Sequence, residues 1–282
     1  MNAALIAFYA FRETLRRRVF LAVLVLTAAF IALYWLGARF VFSKTSGFAG
    51  NGVVDANVVR GATIFGLALF ATYFLGCVLA IFLTLGAIRG EAERGLLQPL
   101  IARPVGRSSL VIGRLLAAVL VCAPYVAIVY ATCLAITRHT LHWTPDRQIE
   151  PLLALMLAVA IIAAVSLLGS VFLTPTANGI TVFMLLGVGM VAGLLGQIGA
   201  ALKIHSLERI AEASSWVAPF EALYQRALFA LTAETSGMTK TVISLGPFGG
   251  PQAGPGQLWP WSLAYLALAT FAVLAVFARL DL

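Results

Sequence analysis

The sequence predicts an all-α polytopic membrane protein. Three observations carry this: an apolar excess that water cannot solvate, six separate apolar runs of spanning length, and basic residues gathered at the ends of those runs. Of 282 residues, 61% are hydrophobic and 11% charged, at a mean hydropathy of +0.99, which leaves too little polar surface to cover a water-soluble globule. A lipid bilayer supplies the missing apolar solvent. The formal charge of +8 does not point to nucleic acid, because a nucleic-acid binder gathers Lys and Arg on one solvated face and here they stand between apolar runs.

The apolar runs cover 19–36, about 64–88, 110–136, 152–173, 179–202 and 261–277, each near or above the ~18 residues that cross a membrane. Helix is the state expected of each, since irregular backbone facing lipid leaves its polar groups unsatisfied. The first run follows Arg16, Arg17 and Arg18 as an apolar signal region would, but its length and the lack of a small-x-small cleavage site make it a span. Before it, Leu5, Phe8, Phe11, Leu15 and Val19 share one helical arc with Arg12 and Arg16 at its edge. This pattern fits an interfacial helix over 1–18 or a simple extension of the first span.

The distribution of charge sets the orientation. With the N-terminus in the cytoplasm, the inner segments hold ten basic and four acidic residues crowded on short flanks, and the outer ones hold nine and seven spread over longer loops. Both termini are expected to be cytoplasmic, in a bacterial inner membrane. The whole of 1–282 then reads as one transmembrane domain. Spans one to three lie within 19–136 and enclose a cytoplasmic loop at 89–109. An outward loop with spans four and five fills 137–202, an outward segment fills 203–260, and the last span with a cytoplasmic tail fills 261–282.

The 89–109 loop, RGEAERGLLQPLIARPVGRSS, repeats Leu96, Leu97, Leu100 and Ile101 on one helical face and stops at Arg103-Pro104, so a short amphipathic helix is expected on the cytoplasmic side. The outward segment has a helical first half, in which Glu208, Arg209, Glu212, Glu221 and Arg226 are spaced among apolar residues, and an irregular GPFGGPQAGPG tract. Short helices lying at the outer surface are expected there, with Trp259 and Trp261 as interfacial anchors. The fifth span carries Gly187, Gly189, Gly193, Gly196 and Gly199. The G-x-x-x-G from Gly189 to Gly193 permits close helix contact, either within the bundle or with another copy.

Catalytic signatures are lacking. No Gly-Lys dipeptide occurs, so no P-loop can cradle a nucleotide, and neither G-x-S-x-G nor H-E-x-x-H is found. No catalytic residue, metal ligand or cofactor of this chain's own is expected. Cys77, Cys122 and Cys133 lie in apolar runs, are odd in number and read as packing residues. His139 and His142 with Asp146 match no specific metal spacing and read as solvated or interfacial. The spans hold almost no ionisable groups, which disfavours an ion-coupled carrier.

The residues Glu93, Gly95, Leu96, Leu97, Leu100, Ile101, Pro104, Arg107, Gly113 and Arg114, between the second and third spans, resemble the permease subunits of type-2 ATP-binding-cassette transporters. Such permeases carry an acidic residue, a Gly-Thr-Leu, a Leu pair, a Pro and an Arg, then a Gly with a basic residue, at this place. FRETLRRRVF before the first span resembles the same family. The resemblance implies that 89–109 is a coupling helix docking into a cytoplasmic ATPase through Glu93, Gly95, Leu96, Leu97, Leu100, Ile101, Pro104 and Arg107. Apolar residues would fill the groove of the ATPase and charged ones form its rim. Leu96 stands where the family has Thr, and Pro99 falls inside the expected helix.

The resemblance also implies a second permease subunit, identical or related, ATP and Mg bound by the partner ATPase, and export. Ala218, Pro219, Glu221, Leu223, Tyr224 and Arg226 resemble, more weakly, the subgroup with the membrane subunit of the nitrous-oxide reductase maturation transporter, without implying copper handling or sulfur export. Two rival readings are a stand-alone channel or carrier and a membrane scaffold for a periplasmic partner.

Overall fold

A computed structural model describes residues 18–44, 56–87, 107–236, 239 and 256–279. The interfacial helix expected before Arg18 and most of the 89–109 loop lie outside the described residues. Within them the chain is helical: α1 (Arg18–Lys44), α2 (Ala56–Thr84), α3 (Arg107–Leu141), α4 (Ile149–Phe172), α5 (Pro175–Leu202), α6 (His205–Val217), α7 (Pro219–Leu231) and α8 (Leu258–Arg279). Six of these, α1 to α5 and α8, are long and apolar enough to cross a membrane, which bears out the all-α polytopic fold. Helices outrun the apolar runs, α2 starting at Ala56 and α3 continuing to Leu141. Hydropathy marks the hydrocarbon, and a helix continues beyond it wherever its charged residues reach polar surroundings.

The bundle is built around α4. Ala154, Leu155, Ala158, Val159, Ile161, Ile162 and Ala163 are buried round its whole circumference, as a helix surrounded by others requires. It packs against α2, α3, α7 and α8. α1 is peripheral. Leu21, Val25, Leu33 and Phe40 are exposed on it, and only 17% of its apolar window is buried against 67% for α2, so its outer face is solvated by lipid.

Polar pairs replace hydrophobic force between helices where lipid competes equally for apolar contact. Thr27 donates to the Val23 carbonyl, so Tyr125 donates to Thr27 across 2.6 Å. Thr137 likewise donates to the Cys133 carbonyl and receives the Tyr34 hydroxyl at 2.6 Å. Together these tie α1 to α3 at two levels. A two-residue turn joins α4 to α5, with Pro175 opening the latter, and the Asn178 amide donates to the Ser166 and Leu85 carbonyls at 2.9 and 3.3 Å.

The antiparallel path puts the 142–148 connection and the turn from α5 into α6 at one end of the bundle, the loop-rich end. From there the chain folds back inward. α5 ends at Lys203 in the left-handed conformation, α6 runs back along α5, and α7 returns to the loop-rich end, where Asp146 and Arg147 amides donate to the Leu231 and Ala230 carbonyls. α6 and α7 thus form a re-entrant hairpin. The sequence reading placed these helices at the outer surface; instead α7 is buried along nearly its whole length, Phe220, Leu223, Ala227 and Ala230 completely. Its apolar residues recur too densely for one wet face, and the notch at Gly189 and Gly193 of α5 admits its first turn.

Candidate functional site

The hairpin creates the site. α7 stacks Tyr224 on Tyr73 of α2, with ring centroids 5.0 Å apart and planes 12° from parallel. Tyr73 lies roughly 25 Å along α2 from Ala56, so the contact is deep in the bundle. Between α2, α5 and α7 remains a cavity of about 480 Å³. From α2 it is lined by Thr63, Ile64, Leu67 and Phe70, from α5 by Met190, Leu194 and Gln197, and from α7 by Glu221, Tyr224, Gln225 and Leu228. Leu67 and Leu194 are 53% and 49% exposed, so the cavity is a groove open at the side of the chain.

Its walls are apolar apart from Thr63, Tyr224 and one chain of polar groups. The Gln197 amide donates to the Gln225 oxygen at 2.8 Å, and the Gln225 amide donates to Glu221 Oε1 at 2.9 Å. Gln225 follows Glu221 by four residues, one helical turn, which aligns the two side chains. Gly193 opposes them, and a Cβ there would collide with Glu221 Oε1. The other carboxyl oxygen, Glu221 Oε2, is buried without a hydrogen-bond partner, and the side chain is only 4% exposed. Among the described residues no Lys or Arg lines the groove.

A second charged cluster sits at the loop-rich end. Glu150, at the start of α4, receives Arg147 at 2.9 Å and Arg226 of α7 at 2.5 Å, and Asp146 accepts the Glu234 backbone amide at 2.8 Å. Both carboxyl oxygens of Glu150 are partnered, and the pair with Arg226 fastens α7 to α4. At the other end of the hairpin, the Trp261 indole donates to the Trp216 carbonyl at 3.1 Å and packs edge-on against its ring.

Of the residues singled out from sequence for ATPase docking, Arg107 opens α3, while Glu93, Gly95, Leu96, Leu97, Leu100, Ile101 and Pro104 lie outside the described residues. His139 falls in the last turn of α3 and His142 just beyond, with a positive φ of 52°. Among the described residues no group of three His, Cys, Asp or Glu side chains could hold a metal. Cys77, Cys122 and Cys133 are buried thiols. The G-x-x-x-G resolves into packing within the chain: Gly189 receives Phe220 and Ala218, Gly193 receives Glu221, while none of the described residues approaches Gly187.

Sequence reasoning missed the groove. It recorded Glu221 and Tyr224 as residues of a surface helix, although a carboxylate four residues before a Gln and flanked by Phe220, Ala222 and Leu223 is a signal of buried polarity.

Six helices of spanning length among the described residues, with a hairpin re-entering between them, define a polytopic membrane protein whose polar site lies between its own helices. The chain belongs to the ABC-2 family: residues 5–282 match the family described as ABC-2 family transporter protein. It is therefore a permease subunit of an ABC transporter, as the resemblance around the 89–109 loop implied, and membership implies a partnering ABC ATPase. A search of the curated proteins found no match to the chain.

Proposed function

We propose that this permease couples ATP hydrolysis by a separate cytoplasmic ATPase to export, working beside a second permease, identical or related, in a bacterial inner membrane. The observation that carries the reading is the family match along nearly the whole chain. ATP and Mg belong to the partner; this chain has no P-loop and performs no hydrolysis. The loop-rich end faces outward and both termini face the cytoplasm, as the density of basic residues on short flanks supports.

The 89–109 loop is the coupling helix, with Leu97 and Ile101 as its apolar contacts and Glu93, Arg103 and Arg107 at the rim. When ATP draws the two ATPases together, the loop pushes on the adjoining ends of α2 and α3. α2 forms one wall of the groove, so its movement against α5 and α7 changes access to Glu221. Two packings of the bundle, each with a different affinity for ATP, are sufficient for the cycle.

The test is a mild-detergent pull-down of the tagged chain from its native membrane, beside a variant carrying Leu97→Asp and Ile101→Asp. A P-loop ATPase is expected to accompany the wild type and to be lost from the variant, which still elutes as a folded species. Absence of any ATPase under conditions that keep other complexes intact would overturn the reading in favour of a channel or scaffold.

A further inference from the structure

The groove has a body and a head. Its body is apolar and aromatic: Ile64, Leu67, Phe70, Met190, Leu194 and Leu228. Its head is the single carboxyl of Glu221, with Oε1 engaged by Gln225 and Oε2 buried without a hydrogen-bond partner among the described residues. An ionised carboxylate in such surroundings is costly unless a cation or a strong donor meets it. Among the described residues the lining offers neither Lys nor Arg, so the counter-charge of an ionised Glu221 comes with the occupant. A metal ion is a poor candidate, because one carboxylate with two amides supplies too few hard ligands, and no His, Cys, Asp or Glu cluster is present among the described residues. A phosphate or carboxylate head would be repelled.

We propose that the groove binds an amphiphile with a primary or secondary ammonium head, the head donating to Glu221 and the apolar body lying along α2 and α5. This deepens the permease reading by naming the class of its substrate, and it rests on that reading only for what happens after binding. Three features agree with it. The volume, about 480 Å³, lies within the ~300–1,000 Å³ typical of small-molecule sites. Phe70 and Tyr224 meet edge to face with centroids 6.2 Å apart beside the carboxyl, offering aromatic surface that attracts a cation. The half-exposed Leu67 and Leu194 leave the side open, so a long apolar tail can remain in lipid or against a second permease while its head is held inside.

The test uses the full-length chain in phosphatidylcholine nanodiscs, without ATPase, and a photoreactive diazirine-bearing dodecylamine alongside the matching dodecanol. Cross-linked peptides are mapped by mass spectrometry. The amine is expected to label the groove segments of α2, α5 and α7 at least tenfold more than the alcohol, and to be displaced by unlabelled dodecylamine. Glu221→Gln is expected to reduce amine labelling to the alcohol's level, with Glu221→Asp intermediate. Equal labelling by amine and alcohol in the wild type would overturn the proposal even if the variants failed to fold, and so would undiminished amine labelling in a folded Glu221→Gln protein.

Nanodiscs containing phosphatidylethanolamine separate two carriers of the same head. Suppressed labelling there supports the ammonium site with a lipid as occupant, and unchanged labelling supports it with a free amphiphile. Because labelling needs no ATPase, a chain that labels but recruits no ATPase keeps the site and loses the transporter, and the reverse result loses only the site.

Discussion

Glu150 and Glu221 stand on two helices packed against each other, α4 and α7, yet the fold treats them in opposite ways. Glu150, at the loop-rich rim, accepts from Arg147 and Arg226, so that both of its carboxyl oxygens are used. Glu221, deeper in the bundle and lining the groove, receives one amide and leaves its other oxygen buried without a partner among the described residues. The first carboxylate holds helices together at a level where water and Arg are both at hand. The second occupies a place where a charge stabilises nothing in the resting chain, and a carboxyl kept there is accounted for by what enters the groove.

The largest effect expected of any single change to this pair of regions is at the glycine that makes room for Glu221. Gly193→Leu drives a branched side chain into the carboxyl and displaces the first turn of α7. A loss of about 3 kcal/mol or failure to fold is expected, at the upper end of overpacking costs, read as a lost monodisperse peak in fluorescence-detected size exclusion. Unchanged folding would mean that α7 does not seat in the α5 notch.

Next in size is the rim. Glu150→Ala leaves Arg226 and Arg147 without their shared acceptor, at side-chain exposures of 22% and 46%. A destabilisation of about 1–3 kcal/mol is expected from losing charge-assisted bonds that are partly screened by water, measured by thermal unfolding in detergent. A strut and a site are told apart by what else moves: Glu150→Ala should lower stability with groove labelling of the surviving folded protein unchanged, and Glu221→Gln should do the converse.

The smallest effect is expected from Tyr34→Phe, which removes one α1–α3 bond while Thr137 keeps the Cys133 carbonyl. A cost of about 0.6 kcal/mol is typical for a polar pair between membrane helices.

The six spans were legible because solvent, not tertiary detail, dictates them: an apolar run of spanning length has few alternatives to a helix. Their ends were less so. α2 begins at Ala56, well before the apolar run at Ile64, since Arg60 interrupts the hydropathy but not the helix. The re-entrant hairpin was hidden for a different reason. α6 and α7 have 13 residues each, too short to score as spans, and α7 carries Glu221, Gln225 and Arg226, which on composition alone belong at a wet surface. Only pairing settles where such groups go, and the pairs here are distant in sequence: Gln197 with Gln225, Glu150 with Arg226. Gly189 and Gly193 were recognised as a place of close approach, but a spacing motif does not name its occupant, which proved to be Phe220 and Glu221 of the same chain. The family itself was legible from the 89–109 loop, where an apolar face bordered by charges is conspicuous against so hydrophobic a background.

The central claim, that an ATPase repacks this bundle around its groove, is tested most directly by the distance between spin labels at Leu67→Cys and Leu194→Cys in the reconstituted complex. Both positions are exposed on opposite walls of the groove, and Cys77, Cys122 and Cys133 are buried against labelling. The account predicts a distance distribution that shifts when the ATPase is trapped with ATP and vanadate, and that stays at its resting value when Leu97 and Ile101 are both Asp. An identical distribution with and without the trapped nucleotide, in a complex that retains its ATPase, would contradict it.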